Sequence, residues 1–342
     1  MTLADEIIAQ HVDIGRYSAS VQQRILVLLE KMRFELTAKL ATEDLTAFGK
    51  MRTEALLRQA IAIIDAHYAQ IAVVVKSSTE AIVPLTARHA ATALGASVTV
   101  QLGIGLPTAT VLERLVSNVI IQGSPLEGWW AKQAADTAFR FSNAVRIGIA
   151  AGETNAQIIT RLVGRPRLGI PGVMDITRKN AAALVQTATA TVANAARAET
   201  FKANADVTPR VAWLATLDNL TCVECGVRDG LEWMNDKDHK PVGHKIPYSL
   251  PTLHPNCRCI VSGVTRGEFF DVPVGRRASM DGPVGGKTTF TDWIGRRTEA
   301  QIAEQFGAGR AELFKKGTIT FEQFLSPRGN VLSLSQLKAK YK

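Results

Sequence analysis

The stretch Cys222-Val223-Glu224-Cys225, followed later by Leu253-His254-Pro255-Asn256-Cys257-Arg258-Cys259, contains the four cysteines of the chain. A tetrahedral zinc ion takes four thiolate or imidazole ligands, which are commonly supplied by two short knuckles of the chain. The segment between the two pairs is rich in Gly, Asp, Lys and Pro. The spacing therefore predicts one structural Zn2+ site, formed where the two quoted stretches meet. We call them the first and the second knuckle.

Five side chains compete for the four ligand positions. The predicted ligand set is Cys222, Cys225, Cys257 and Cys259. In the alternative, His254 and Cys257 pair with the first knuckle and leave Cys259 free, because an imidazole nitrogen is also a common zinc ligand.

Redox and disulfide roles for the cysteines are disfavoured. A redox Cys-x-x-Cys pair is typical of a βαβ unit, which the sequence does not show. Residues 1–13 include Asp5 and Glu6 and lack the basic and apolar regions of a secretory signal. We therefore expect the protein to remain in the cytoplasm where it is made, with reduced thiols.

Apolar residues recur every three or four positions in the first hundred residues, as in amphipathic helices. One stripe runs from Val21 to Leu40 and a second from Leu57 to Ile71, with a break at 41–50. The stripes predict a helical hairpin within a bundle; docking of their apolar face on a partner is the alternative. The predicted core residues are Ile25, Leu28, Leu57, Ile61 and Ile64.

Helices are also predicted over much of residues 108–204. Thr154-Asn-Ala-Gln157 is typical of a capping box that begins a helix, which should end at Gly164. Two prolines and two glycines between Arg165 and Asp175 then break the helical pattern. An alanine-rich helix follows over 176–204.

The periodicity changes next to the cysteines. Val211, Trp213 and Ala215 alternate as in a short strand that leads into the first knuckle, and Cys259-Ile-Val-Ser predicts a strand that leaves the second. Such a small β element has little core of its own. Zinc binding, which supplies on the order of 10 kcal/mol in small peptides, would compensate for that.

Several short motifs around the cysteines occur in the order found in one family. They are Trp213-Leu-Ala-Thr-Leu-Asp218, Thr221-Cys222-Val-Glu-Cys225, Asp229-Gly230 and Pro251-Thr-Leu-His254-Pro-Asn-Cys257-Arg-Cys259. This segment resembles the core of the phage Mu protein F-like minor head proteins, or phage head-morphogenesis proteins. Residues 290–294, 307–314 and 324–334 resemble the tail that often follows that core. About half of the chain is covered.

The resemblance implies a structural protein of a tailed phage or prophage that acts in head morphogenesis and capsid assembly. It implies a virion protein inside the head or at the portal vertex, present in the host cytoplasm during assembly and compatible with ejection with the DNA. The implied partners are the portal and/or the major capsid or scaffold proteins.

These observations together predict a mainly α protein of three segments. Residues 1–165 form a helical N-terminal domain, a helical bundle. Residues 166–265 form the Mu F-like core, with a small zinc-clamped β element. Residues 266–342 form a C-terminal extension, a tail with short helices predicted at 292–306, 310–315 and 320–325.

The formal charge of +9 favours an anionic partner. Residues 326–342 include Arg328, Lys338, Lys340 and Lys342 but no acidic residue, so a flexible basic tail could contact packaged DNA non-specifically. The uncharged segment 90–112 is long enough to cross a bilayer, but its Gly, Thr and Pro residues disfavour insertion. We expect buried packing there and no stable membrane insertion.

Catalytic motifs are not found. The sequence lacks a phosphate-binding loop, a His-Glu-x-x-His helix and a Gly-x-Ser-x-Gly elbow. The strongest enzymatic alternative is a zinc-dependent nuclease that uses Asp238, His239 and His244. A zinc ion closed by four protein ligands cannot activate water, so a non-enzymatic role is expected.

Overall fold

The computed structural model describes residues 2–43, 49–98, 103–265 and 275–341. This part of the chain is mainly helical, as predicted. Its helices are α1 (Leu3–Ala41), α2 (Lys50–Ala96), α3 (Ala109–Ser117), α4 (Leu126–Ala150), α5 (Asn155–Val163), α6 (Val173–Ala203), α7 (Val223–Arg228), α8 (Phe290–Gly295), α9 (Glu299–Phe306), α10 (Ala308–Lys315) and α11 (Leu334–Lys340).

The strands form one four-stranded sheet and three short hairpins. The sheet has the antiparallel order β7-β6-β5-β8, with β5 (Arg210–Leu214), β6 (Glu232–Met234), β7 (Pro241–Val242) and β8 (Ile260–Val264). The hairpins pair β1 (Ile120–Ile121) with β2 (Ser124–Pro125), β3 (Gly164–Arg165) with β4 (Ile170–Pro171), and β9 (Arg276–Arg277) with β10 (Val284–Gly285).

The chain forms two compact units that interleave along the sequence. The first contains Met1–Ile14, Ile82–Ser117 and Ala190–Lys342, and the second contains Gly15–Ala81 and Asn118–Thr189. The expected boundary at residue 165 lies inside the second unit. The division into three consecutive domains stays a prediction.

The second unit is a helical bundle. Two contacts show that its parts of α1 and α2 are antiparallel. The Tyr17 hydroxyl donates to the Ser78 carbonyl at 2.9 Å, and further along α1 Glu35 Oε1 lies 3.1 Å from Nε2 of His67, which is earlier in α2. Tyr68 of α2 hydrogen-bonds to Thr137 of α4 at 2.9 Å. The predicted helical hairpin is therefore present.

Two of the five predicted core residues of this hairpin are wrong. Ile25, Leu57 and Ile64 are buried, but Leu28 and Ile61 are only half-buried. Their neighbours Leu29 and Ala60 occupy the interior instead. The predicted capping box is confirmed: Thr154 and Gln157 cap α5, and Gly164 is the C-cap of this helix.

The sheet of the first unit explains where the cysteines lie. In β5 the side chains of Val211 and Trp213 are buried, which confirms the alternation seen in the sequence. β5 pairs with β8 so that Leu214 faces Ile260. Because the strands are antiparallel, the end of β5 and the start of β8 lie at the same end of the sheet. The first knuckle therefore follows β5, and the second precedes β8, at the same end of the sheet.

The C-terminal part of the chain completes the core of the first unit. Phe290, Phe306, Phe314, Phe321 and Phe324 form a network of ring contacts with centroids 5.3–6.4 Å apart. The expected helix over 292–306 is divided into α8 and α9, and 320–325 holds a 3-10 helix at Glu322–Phe324.

The expectation of a flexible basic tail is wrong for most of that segment. Residues Leu334–Lys340 form α11, whose Ser333 and Gln336 make a capping box. Leu337 is fully buried in the core of the first unit. Burial of this leucine fixes the helix that carries Lys338 and Lys340.

The uncharged segment 90–112 does not form one buried element in the described residues. Ala90, Ala93 and Leu94 are buried at the end of α2, whereas Leu106 is exposed; residues 99–102 lie outside the described part. Among the described helices, α2 has the length and apolarity of a membrane span, with a window of mean hydropathy 1.3. This is weak support for insertion, since core helices of soluble proteins show the same property.

Candidate metal centre

The first knuckle is the start of a short helix. Cys222 is the N-cap of α7, and its sulfur accepts a hydrogen bond from the Cys225 amide at 3.4 Å. This turn directs both thiols to the same side of the helix start. Gln305 of α9 donates to the Thr221 carbonyl at 2.7 Å and so holds the residue before the knuckle.

The second knuckle is a tight turn that leads into β8. The Cys257 amide donates to the His254 carbonyl at 3.1 Å, and Asn256 within the turn has a positive φ of 59°. The fully buried Asn194 of α6 donates to the Cys259 carbonyl at 3.0 Å and accepts from the Val261 amide at 3.2 Å. A side-chain amide on a neighbouring helix thus fixes the backbone of this knuckle.

All five predicted donors are brought together. Their ligand atoms form two overlapping groups, Cys222, Cys225 and His254, and Cys225, Cys257 and Cys259, each with all atoms within 4.8 Å of one another. His254 Nε2 lies 3.3 Å from Cys222 Sγ and 3.2 Å from Cys225 Sγ. Cys225, which belongs to both groups, lies 3.7 Å from Cys257 Sγ.

These donors fit a metal ion. Two sulfurs bound to one tetrahedral zinc at about 2.3 Å are roughly 3.8 Å apart, close to the separation of Cys225 and Cys257. All four cysteines are free thiols, and Cys225, Cys257 and Cys259 are buried. A cluster of soft sulfur donors with one imidazole matches the ligand preference of zinc and related ions. These residues could therefore hold a metal.

The orientation of His254 makes it a competent donor. Its Nδ1 lies 2.9 Å from the Pro255 carbonyl, which can only accept a hydrogen bond, so Nδ1 carries a proton. A metal-binding histidine commonly donates its other ring N–H to a carbonyl in this way. Nε2, directed at two cysteine sulfurs, is the ring atom available to an ion.

The donors strongly perturb one another's protonation. A hydrogen bond with Cys225 lowers the pKa of Cys222 to about 4, and a hydrogen bond with Cys222 raises the pKa of Cys225. A hydrogen bond with Cys222 raises the pKa of His254 to about 11. Thiolate is the form of cysteine that binds metal, so a cation would displace the protons that these closely packed groups share.

Besides the donors, a partly buried ion pair joins the two knuckles. The guanidinium of Arg258, between Cys257 and Cys259, binds both carboxylate oxygens of Asp218, with Nη2 to Oδ1 at 2.8 Å. Asp218 precedes the first knuckle in the chain. This bidentate contact holds the two segments in one register.

Comparison with known families relates this cluster to one of them. Residues 140–262 match the family model described as Phage Mu protein F like protein, a segment that contains both knuckles. This segment of the chain is therefore similar to the phage Mu protein F-like family. The match covers about a third of the chain. No curated protein and no solved structure matches the chain.

The similarity of this segment to the phage Mu protein F-like family indicates a phage head-morphogenesis protein. The family consists of structural head proteins, which is consistent with a non-enzymatic role and with association with the virion. It also indicates interaction with other capsid or portal components.

The two histidines of the nuclease alternative lie outside the donor groups. His244 Nε2 donates to the Glu232 carbonyl at 2.8 Å, and its Nδ1 accepts from the Ile246 amide at 3.2 Å. His239 bonds through Nδ1 to the Met234 carbonyl at 3.0 Å and stacks on Tyr248. Backbone contacts thus use both ring nitrogens of His244, which leaves it without a free nitrogen for general-base catalysis.

Sequence reasoning missed Asn194 and the pairing of Asp218 with Arg258. Asn194 lies in the alanine-rich α6, where a polar residue on a helix face of small residues was the available signal. Its partners are more than sixty positions away in the chain, so periodicity alone could not identify them.

Proposed function

We propose that this protein is a minor head protein of a tailed phage or prophage, which acts structurally in head morphogenesis near the portal. The match of residues 140–262 to the phage Mu protein F-like family is the observation that carries this proposal. The protein is made in the host cytoplasm and, in the virion, lies inside the head or at the portal vertex. Its partners are the portal and/or the major capsid or scaffold proteins.

In this proposal a structural zinc ion stabilises the Mu F-like core. Cys222, Cys225, Cys257 and Cys259 hold the ion, with His254 in place of Cys259 as the alternative. The convergence of five donors from two knuckles supports this assignment. When bound, the ion would link the end of β5 to the start of β8, because each knuckle adjoins one of these paired strands. Its role is to stabilise the fold, since four protein ligands leave no open position.

An asymmetric cryo-EM reconstruction of the virion, combined with mass spectrometry of purified heads, tests the location directly. We expect the protein in few copies, at density adjoining the portal vertex. Comparison of full and emptied particles shows whether it leaves with the DNA. Absence of the protein from purified heads would contradict the proposed function.

A complementation experiment tests the structural role. Particles made without the protein should be malformed or non-infectious, and the wild-type protein should restore them. The exposed-site variant Lys237→Gln serves as a control and should restore them equally. Cys222→Ser should fail, because it removes a predicted zinc ligand. Normal infectious particles without the protein would contradict the proposal.

A further inference from the structure

The break after α5 forms a short hairpin that the helical pattern alone did not predict. β3 and β4 pair with Gly164 facing Pro171 and Arg165 facing Ile170. A 3-10 helix, Pro166–Leu168, makes the tip and ends at Gly169, which has a left-handed φ of 68°. We call residues 164–171 the basic hairpin.

The base of the basic hairpin is closely packed. A Cβ atom on Gly164 would lie 2.4 Å from the Gly172 amide nitrogen, so only glycine fits there. Asp175 accepts a hydrogen bond from the Gly172 amide at 3.0 Å. Two prolines, Pro166 and Pro171, restrict the backbone further. The packed base and the two prolines restrict the conformations open to the hairpin, which lowers the entropic cost of binding.

The tip is exposed and combines apolar and basic side chains. Every residue from Arg165 to Pro171 is exposed, and 66% of Leu168 and 52% of Ile170 are accessible. These exposed residues do not contribute to the core of the second unit. Its residues are available to a partner.

The charge around the hairpin is positive and mostly uncompensated. In the described part of the chain, no carboxylate pairs with Arg165, Arg167 or Lys179. Arg178 lies 4.0 Å from Glu30, the outer limit of an ion pair. An open pocket of about 340 Å³ lies between the hairpin and the start of α6; its charged lining residues are Arg178, Lys179 and one carboxylate, Asp175.

We propose that the basic hairpin is a sequence-independent contact for double-stranded DNA. Arg165, Arg167 and Lys179 bind backbone phosphates, and Leu168 and Ile170 contact the minor groove as an apolar wedge. Arginine and lysine side chains suit backbone phosphates, and inserted apolar wedges of Leu or Ile are typical of proteins that bind the minor groove. The inference deepens the proposed head function by naming packaged DNA as a partner, and it moves the expected contact away from the C-terminal residues.

A membrane is the less suitable anionic surface. Burial of two side chains of this size contributes about 1.5–3 kcal/mol each at most, less than the single acyl chain that gives only marginal attachment. Phosphate contacts, by contrast, can supply non-specific DNA affinity without a large apolar area.

Fluorescence anisotropy of the purified full chain with a short random-sequence DNA duplex, over a series of salt concentrations, tests the proposal. The double variant Arg165→Gln/Arg167→Gln should weaken binding on the order of tenfold and reduce the salt slope by about two. Leu168→Ser/Ile170→Ser should weaken binding with the slope unchanged. Lys237→Gln/Lys240→Gln removes the same charge at another exposed site and should leave affinity near wild type. Circular dichroism of each variant checks its folding.

Three outcomes would overturn the proposal. They are no DNA binding by the wild type, equal losses in the arginine and lysine double variants, and binding to phosphatidylserine vesicles but not to DNA. Head incorporation of Arg165→Gln/Arg167→Gln is measured separately and should stay normal. Reduced DNA binding of this variant together with normal incorporation would support the DNA contact. Absence of the wild-type protein from heads would instead contradict the proposed head function.

Discussion

The carboxylate of Asp229 is fully buried and bound by the guanidinium of Arg277, with Arg277 Nη2 at 2.7 Å from Oδ1 and Nη1 at 2.8 Å from Oδ2. Asp229 also accepts the amides of Ala215 and Phe290, each at 2.6 Å. It directly follows α7, the helix of the first knuckle. One side chain thus joins the Mu F-like segment to the C-terminal part of the chain.

We expect Asp229→Ala to reduce the free energy of unfolding by about 3–5 kcal/mol, because it leaves a buried guanidinium and two backbone amides without their partner. Chemical denaturation measures the change. Asp136→Ala, which removes an exposed helical ion pair with Lys132 at 2.7 Å, is the matched control and should cost at most about 0.5 kcal/mol. Equal effects of the two variants would show that the buried pair does not stabilise the fold.

A second prediction concerns the contact between α7 and α8. A Cβ atom on Gly226 would lie 2.6 Å from the ring of Phe290, so Gly226→Ala should destabilise the protein by about 1–3 kcal/mol through overpacking. Gly295 is also helical but has no neighbour within 4 Å of an added Cβ. Gly295→Ala should be neutral or slightly stabilising in the same thermal melts. If both variants melt alike, α8 does not pack on α7 as described.

A third prediction distinguishes a bundle core from a docking face. Leu57 is buried, so Leu57→Ala should lower the free energy of unfolding by about 2–5 kcal/mol. Leu28→Ala should cost less, because Leu28 is half-buried. Denaturation curves and head incorporation are measured on both variants. An unchanged stability of Leu57→Ala with loss of incorporation would instead identify a partner-binding face.

The difference between Leu28 and Leu29 shows what periodicity can and cannot predict. Apolar spacing predicted both helices of the hairpin, although α1 begins well before its stripe and α2 extends well beyond its own. It did not predict which residue is buried, because two consecutive leucines both fit a stripe with steps of three or four residues. Which of them faces the interior depends on the neighbouring helices, and these come from distant parts of the chain. Ala60 is fully buried beside the half-buried Ile61 for the same reason.

The metal-binding side chains of the candidate site could be predicted from the sequence, but the residues that position them could not. Cysteine spacing identified the side chains that converge, because metal ligands must be of a few types at short intervals. Asn194 and Gln305 are common polar residues at ordinary helix positions, and their contacts with the knuckles depend on tertiary packing. The β6 and β7 strands were also missed, since they contain only three and two residues.

The ligand set can be determined by single substitutions with zinc content as the readout. If the four cysteines bind, Cys259→Ser should lose the ion and His254→Ala should keep it. The reverse result would assign His254 as the fourth ligand, because its Nε2 already lies 3.2 Å from Cys225 Sγ. In either case Cys222→Ser should lose the ion and increase hydrogen exchange in residues 211–262. Lys237→Gln should keep the ion and show the hydrogen exchange of the wild type.

The most direct test of the zinc-stabilised core is metal analysis of the wild-type protein. The protein is purified under reducing conditions, and its intact mass is measured by native mass spectrometry. We predict one zinc ion per chain, and unfolding of the knuckle region when a chelator removes it. A folded protein that contains no metal, with its four thiols reduced, would contradict the account.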